Sequence, residues 1–487
     1  MTSHGGDCVV DTLDATCGGL LPLLADRENA PAIAEAREGA VGPWMSRAAL
    51  RARVIDVAAV FGSAEKSFVF VLVRNDLATV TAILAAWARG HAVALLDAKA
   101  APEVLQGLVE IYDPEFFVFE GSAPLPVDEL STLHGVSVGR RGGRRAERPH
   151  PDLALLLSTS GTTGSAKFVR LSAEAILTNA RQIAAALDIG PTDVGVGHLA
   201  LHYSYGWSVL ASHLVSGASV ALMDDSIMSP TFWPTVEAAG GTHFPGVPFH
   251  YTALARFGLG VVPTSVRTFT QAGGALDLRF QRKIHEQARA RAAGFFVMYG
   301  QTEAAPRITT LPREAFEAKA GSVGVALEGG SLAILTDDGH PARPGESGHV
   351  IYSGRNVMMG YATCRSDIAR PDEQLGRLET GDLGYMDEDG YLFLTGRSKR
   401  ISKIFGLRIS LDEIETRLAE IGPCAALDAQ ERILIFHEAD ASDMRTRLSA
   451  LAEALGLPSA AFNARVVESL PRKASGKLDY GALKELV

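Results

Sequence analysis

Cysteine is scarce in this chain. The four residues, Cys8, Cys17, Cys364 and Cys424, include no C-x-x-C pair and make no disulfide framework, which fits a reduced, cytoplasmic compartment. Lysine and arginine are missing before Arg27, where Asp7 and Asp11 stand instead, so the basic start of a secretory signal is lacking. Long apolar runs are also missing. The longest, around 68–73 and 79–88, fall short of the 18 or so residues of a membrane span. Nor is there an excess of positive charge: a net charge of −10 argues against a broad nucleic-acid or anionic-membrane surface. A soluble, cytoplasmic protein is expected, with no nucleic acid and no membrane span among its partners.

What is present is ordinary for a globular protein, 47% apolar and 21% charged. At 487 residues it is too long for one core, so two or more domains are expected. Through residues 50–300 strand-like runs alternate with helical patterns, which predicts layered α/β structure with largely parallel sheet. A strand is expected over 67–73, a helix over 77–89 ending near Gly90, and a strand over 92–96. Further on, Ser172 is placed to cap a helix carrying Ile176, Ala180, Ile183, Ala184 and Leu187 on one face. From about 320 the Asp338-Gly339, Pro344-Gly345 and Asp389-Gly390 turns predict a β-rich subdomain. Beyond Gly396 a basic stretch, 397–400, reads as a linker. A capping box from Ser410 to Glu413 then opens a helix with Leu411, Ile414, Leu418 and Ile421. The remainder predicts a small separate α+β domain.

The chemistry concentrates in five segments. Ser-Thr-Ser-Gly-Thr-Thr-Gly-Ser-Ala-Lys, residues 158–167, lies between an apolar run at 153–157 and a strand at 168–171. Gly161 and Gly164 admit close backbone approach. The hydroxyls of Ser160, Thr162, Thr163 and Ser165, with the main-chain N–H groups and the Lys167 charge, suit phosphate oxygens. The spacing is not that of a Walker A loop, and a polar turn between two strands is the plainer alternative.

Met298-Tyr299-Gly300-Gln301-Thr302-Glu303 ends an apolar strand, the place where α/β sheets put ligands. Thr302 can bond a phosphate oxygen there, and Glu303 is a hard ligand suited to Mg²⁺. Glu379-Thr380-Gly381-Asp382 is a second acidic turn, and its Asp382 can accept two ribose hydroxyls. Gly273 and Gly274 offer close approach to a flat base. Pro471-Arg472-Lys473-Ala474-Ser475-Gly476-Lys477 is a basic, glycine-bearing loop. Taken singly, the segments at 298–303, 379–382 and 471–477 are more simply turns or a solvated loop.

Together and in this order, the five segments resemble the acyl-adenylate-forming superfamily of acyl- and aryl-CoA synthetases, peptide-synthetase adenylation domains and beetle luciferase. The most specific pieces are S-T-S-G-T-T-G-S-A-K, Y-G-Q-T-E, E-T-G-D-L and the G-R…K-x-x-G-L-R-I-S segment, and the resemblance runs from near Ser67 to Lys477. It implies a large N-terminal domain over 1–397 that binds ATP and the acid, and a mobile C-terminal domain over 398–487 hinged near Lys399.

The resemblance further implies that Thr159, Ser160, Gly161, Thr162, Thr163, Gly164 and Lys167 form a mobile loop over the β- and γ-phosphates. Thr302 and Glu303 would contact the α-phosphate and Mg²⁺. Asp382 and Arg397 would hold the ribose, while Gly273, Gly274, Ala275 and Tyr299, with Gly300 and Gln301 beside them, would line the adenine and acyl pocket. Lys477 is similar to the catalytic lysine between the attacking carboxylate and the α-phosphate. Lys399 stands at the hinge, and Lys403 to Gly406 match the segment that swings in for thioester formation.

The chain departs from the family pattern at residues 200–207. Tyr203 stands where many CoA ligases have an aromatic gate to the pantetheine tunnel. Gly206 stands where amino-acid-activating domains carry an Asp, which disfavours α-amino acids and favours a plain acyl or aryl carboxylate. His198 and His202, four apart on what could be one helical turn, lack the Glu of a zinc-binding H-E-x-x-H and read as core or pocket residues. The segment 243–248 resembles one lining the acyl pocket at Gly246, and Trp207 and Phe244 could cap that pocket.

The resemblance therefore implies an enzyme that converts a carboxylic acid and ATP into acyl-AMP and passes the acyl group to coenzyme A. The runner-up acceptor is the phosphopantetheine of an acyl carrier protein, and a decayed nucleotide-binding module is the non-enzymatic alternative. No G-x-S-x-G elbow points to a hydrolase. Lys477 has the P-x-x-x-x-G-K spacing at which a lysine acetyltransferase could remove its charge.

Overall fold

A computed structural model describes residues 27–62, 65–121, 123, 125–143, 145, 147–158, 167–404, 407–429, 432–438, 441–454, 457–472 and 477–486. Within them the parallel α/β expectation resolves into two large sheets. The first has six parallel strands in the order Gly294–Gly300, Thr268–Gln271, His243–Gly246, Val194–Gly197, Ser219–Leu222 and Pro31–Arg37. Arg307–Leu311 then adds antiparallel to Gly294–Gly300. The second sheet has a parallel centre of Leu153–Ser158, Ala92–Asp97, Phe68–Val73 and Phe116–Phe119. Phe168–Ser172 turns back antiparallel on Leu153–Ser158, and Gly360–Ala362 pairs with its outer side.

The expected elements form where the sequence signals them. Helix Leu77–Ala88 is capped by Asp76, whose carboxylate accepts from the Thr79 N–H. Helix Ala173–Ala186 is capped by Ser172, whose hydroxyl accepts from the Ala175 N–H. The largest buried cluster draws on both sheets and on helices Leu77–Ala88, Ala173–Ala186 and Ser204–Val215, so the sheets share one core with helices between them. No helix of the described residues is long and apolar enough to cross a membrane.

A four-stranded antiparallel sheet follows, with Arg377–Met386 paired to Leu392–Arg397. Gly339, Gly345 and Gly390 all sit at positive φ in its turns, as the Asp-Gly and Pro-Gly pairs require. Beyond it the core changes: residues 409–483 pack into two clusters of their own.

One expectation fails here. The basic stretch is no solvated linker, because Ser398–Arg400 forms a short 3-10 turn and Arg400 is built into the C-terminal elements. Its guanidinium pairs with Asp412 at 2.5 Å and Glu415 at 2.8 Å, donates to the Ala426 carbonyl and lies 4.0 Å from the Tyr480 ring. A run of like charges looks soluble in sequence, but its partners are 12 or more residues away.

Candidate active site

Residues 299–303 tie the site together. They leave the C-terminal end of strand Gly294–Gly300 and enter a 3-10 turn, Thr302–Ala304. Gly300 is required there, since a Cβ would meet the Pro306 carbonyl at 2.1 Å. Tyr299 donates its hydroxyl to Asp382 at 2.5 Å, and Gln301 donates to the Thr380 carbonyl at 3.3 Å. Thr302 donates to Ser204 at 3.1 Å. The Glu303 carboxylate accepts from the Tyr361 hydroxyl at 2.9 Å, and the ring of that tyrosine lies 3.4 Å from Lys167 Nζ.

Asp382 and Arg397 form an ion pair. Arg397 donates to Asp382 at 3.0 Å across the register in which the two residues face each other. Burial raises the Asp382 pKa above the usual carboxylate range, against the Arg397 charge that lowers it. Tyr299 is raised well above the ordinary phenol, first by burial and then by the Asp382 charge. Arg397 is raised by Asp382, Tyr299 and Asp412, which together outweigh its burial. Asp412 belongs to helix Leu411–Leu418, so the C-terminal elements reach the edge of this pair.

Gly273 has φ +84°, and a Cβ there would meet the Tyr203 hydroxyl at 2.5 Å. Gly274 approaches Pro248, its carbonyl accepts from Gln271 at 2.8 Å, and Ala275 next to it is exposed. Gly273 and Tyr203 thus meet one residue away from Ser204, the partner of Thr302. Gly206 fits the same crowding, since a Cβ would meet the Ala200 carbonyl at 2.3 Å.

Trp207 and Phe244 do not behave as pocket caps. Trp207 is 2% exposed in the shared core, edge-on to Trp87 at 5.1 Å. Phe244 is fully buried and stacks on His198 at 5.1 Å. Trp207 lies on the face of helix Ser204–Val215 that packs into the shared core. Gly246 lies against the Tyr251 ring, where a Cβ would come within 2.4 Å. His198 and His202 precede the helix, which starts at Ser204. Burial lowers the pKa of both, as expected of core residues, and no metal-binding group of three His, Cys, Asp or Glu occurs among the described residues.

Lys477 lies next to the bridge between Arg472 and Leu478, on the C-terminal elements. Thr159, Ser160, Gly161, Thr162, Thr163, Gly164 and Gly406 lie outside the described residues, as do the side chains of Lys399 and Lys403. Two contributors were missed in the sequence: Tyr361 and Ser204. Tyr361 stands in an unremarkable strand, and only its pairing with Phe168–Ser172 aims it at Glu303.

Glu303 accepts the Tyr361 hydroxyl on one carboxylate oxygen, and its second oxygen has no hydrogen bond among the described residues. That suits Mg²⁺, which is held through one or two carboxylates together with phosphate oxygens and water.

The AMP-binding enzyme family matches residues 24–362. The chain is similar to a sulfoacetate–CoA ligase of Cupriavidus necator, 31% identical over 68% of this chain and 66% of that protein. It is also similar to an oxalate–CoA ligase of Arabidopsis thaliana, 32% identical over 55% of this chain and 53% of that protein. The chain thus spans about half to two thirds of the length of these curated relatives. In fold it matches the O-succinylbenzoate coenzyme A synthetase of Bacillus subtilis in complex with ATP and magnesium ion. The TM-score is 0.78 and the identity 22%, over 96% of this chain and 98% of that one.

Proposed function

The chain belongs to the AMP-binding enzyme family, and from that premise we propose that it is an AMP-forming acid–CoA ligase. It takes a carboxylic acid and ATP to acyl-AMP and pyrophosphate, then transfers the acyl group to the CoA thiol with release of AMP. The observation that carries this reading is the stretch 299–303, whose bonds reach Asp382, Ser204 and Tyr361. The relatives named above act with CoA, which supports that acceptor over a carrier-protein arm.

The residues divide the work by chemistry. Asp382, oriented by Arg397 and Tyr299, holds the ribose hydroxyls, and the 273–275 backbone makes the flat side of the base site. Thr302 and Lys167 bind phosphate oxygens, and Glu303 would hold Mg²⁺, which supplies positive charge against the phosphate oxygens when bound. Tyr361 fixes the Glu303 carboxylate, a partner of the kind that orients metal ligands. Lys477 brings its ammonium to the charge that builds as the carboxylate attacks.

Pyrophosphate release with a panel of carboxylic acids, with and without CoA, tests the reading. Acid-dependent release and an acyl-CoA product by mass spectrometry are expected. Acyl-AMP that accumulates with CoA and discharges only onto a carrier protein would replace CoA as acceptor, and no ATP binding would end the ligase reading.

We place the division between the domains at 397/398, with the hinge near Lys399. Arg397 is held by Asp382 and Ser398 by the Gly381 carbonyl on one side, and Arg400 by Asp412 and Glu415 on the other, which supports Lys399 as the hinge. Lys399→Pro, which fixes φ there, is expected to keep adenylation within about twofold and slow thioester formation by on the order of tenfold or more. Separate single-turnover assays of the two half-reactions check this; equal loss of both removes the hinge from this place.

A further inference from the structure

Under the first sheet lies a small cavity between helices Ala173–Ala186 and Ser204–Val215 and the strands His243–Gly246, Thr268–Gln271, Gly294–Gly300 and Arg307–Leu311. The space in which a water can be centred is about 20 Å³, enough for one or two waters. It adjoins the candidate centre through Tyr205, next in sequence to Ser204 and edge-on to Tyr203 at 6.4 Å. Its lining includes Tyr205, His213, His243, Met298 and Arg307 and, among the described residues, no carboxylate.

Arg307 is the anomaly. It is 2% exposed, its Nε is buried without a partner, and its guanidinium lies over the face of Tyr205, 4.7 Å from the ring centre. The other arginines buried to a similar degree make side-chain hydrogen bonds, even Arg47, whose Nε is also unpartnered but whose guanidinium donates to the Ala218 carbonyl at 2.8 Å. Arg170 donates to the carbonyls of Met359, Tyr361 and Arg370 and to Glu373. Arg365 donates to Glu115 and to the Glu147 and Asp113 carbonyls. Arg307 has no hydrogen bond or ion pair from its side chain among the described residues. A buried charge without a partner is costly, and burial correspondingly lowers its pKa. In the same cavity His213 Nε2 and His243 Nε2 are also buried without partners. A hydrocarbon tail would satisfy none of these three groups.

We propose that this cavity is an anion pocket, and that the acid activated here is short and carries a second anionic group, a carboxylate or a sulfonate, paired with Arg307. This rests on the ligase reading and replaces the plain acyl or aryl acid expected from Gly206. The ligand completes an ion pair that the protein leaves half made. The polar nitrogens of His213 and His243 border the same space, and Asp193, bonded to His243 Nδ1 at 3.2 Å and to Arg267 at 2.5 Å, holds that imidazole in place from behind.

The test compares kcat/KM for pyrophosphate release with malonate and succinate, with sulfoacetate, and with propionate and butyrate. The wild type is expected to favour the doubly anionic acids over neutral-tailed ones of like length by about a hundredfold or more. Whether the carboxylate or the sulfonate arm responds names the second group. Arg307→Met is expected to lose that preference while keeping the propionate rate within a few fold, and Arg307→Lys to recover part of it.

Thermal melts on the same proteins give a second readout. Without acid, Arg307→Met should melt higher than the wild type, because it removes an unpaired buried charge. The preferred acid should raise the wild-type midpoint and leave that of Arg307→Met unchanged. A wild type that prefers propionate or butyrate overturns the proposal, as does an Arg307→Met protein that melts lower or loses both acid classes equally. The shift with ATP and Mg²⁺ is read in parallel: its absence sinks the ligase reading, while the shift with malonate or sulfoacetate still decides the pocket.

Discussion

Lys477→Ala is expected to slow adenylate formation by about 10²–10³-fold, roughly 3–4 kcal/mol of transition-state stabilisation. Transfer from a supplied acyl-adenylate to the thiol should stay near the wild-type rate. The asymmetry follows from charge. In the first step a carboxylate meets an α-phosphate, two anions are pressed together, and charge gathers on the non-bridging oxygens. An ammonium placed there is worth most at that moment. In the second step the phosphate leaves as AMP and the attacking thiol needs no such bridge. Lys477 is carried by the C-terminal elements, beside the Arg472–Leu478 bridge, so its contribution depends on where those elements dock. Pyrophosphate exchange reads the first step and single-turnover thioester formation from synthetic acyl-AMP reads the second. Near-normal exchange by the alanine variant would remove Lys477 from the chemistry.

Glu303→Gln is expected to cost on the order of 10²-fold in kcat for pyrophosphate release, together with a higher Mg²⁺ concentration for half-maximal rate. Glutamine keeps the size of the side chain and an oxygen able to accept from the Tyr361 hydroxyl, now at 2.9 Å. It removes only the charge that suits a hard cation. The melting temperature should therefore change little, since Glu303 is half-buried and outside the hydrophobic clusters. An unchanged Mg²⁺ dependence would show that the carboxylate is structural. A large fall in melting temperature would point the same way.

Much of the fold could be read from the chain because its signals are local. The apolar runs at 68–73 and 92–96, the cap at Ser172 and the glycines of the 338–390 turns each act within a few residues. The strand Pro31–Arg37 carries no such signal for its place, which is set by pairing with Ser219–Leu222 far along the chain. The site divides in the same way. Glu303 and Asp382 stand in recognisable turns, whereas Tyr361 acquires its meaning only from the strand partner that aims it. Trp207 looked like a pocket wall because aromatic residues suit pockets, but its direction on the helix faces Trp87 and the core. Arg307 was passed over because a sequence displays a charge and not the absence of its counter-charge.

The strand Gly360–Ala362 carries a consequence for the order in which the molecule becomes competent. Arg170 Nε and the Tyr361 carbonyl that it holds are 191 residues apart. On a ribosome adding about 5–20 residues per second, the edge of Phe168–Ser172 waits roughly 10–40 s for its neighbour. During that interval the nascent polypeptide has the strands Leu153–Ser158 and Phe168–Ser172 but not the tyrosine whose hydroxyl meets Glu303. It also exposes an unpaired edge open to foreign strands. The edge of Phe168–Ser172 and the hydroxyl that meets Glu303 are therefore completed in the same event, when one three-residue segment emerges and docks.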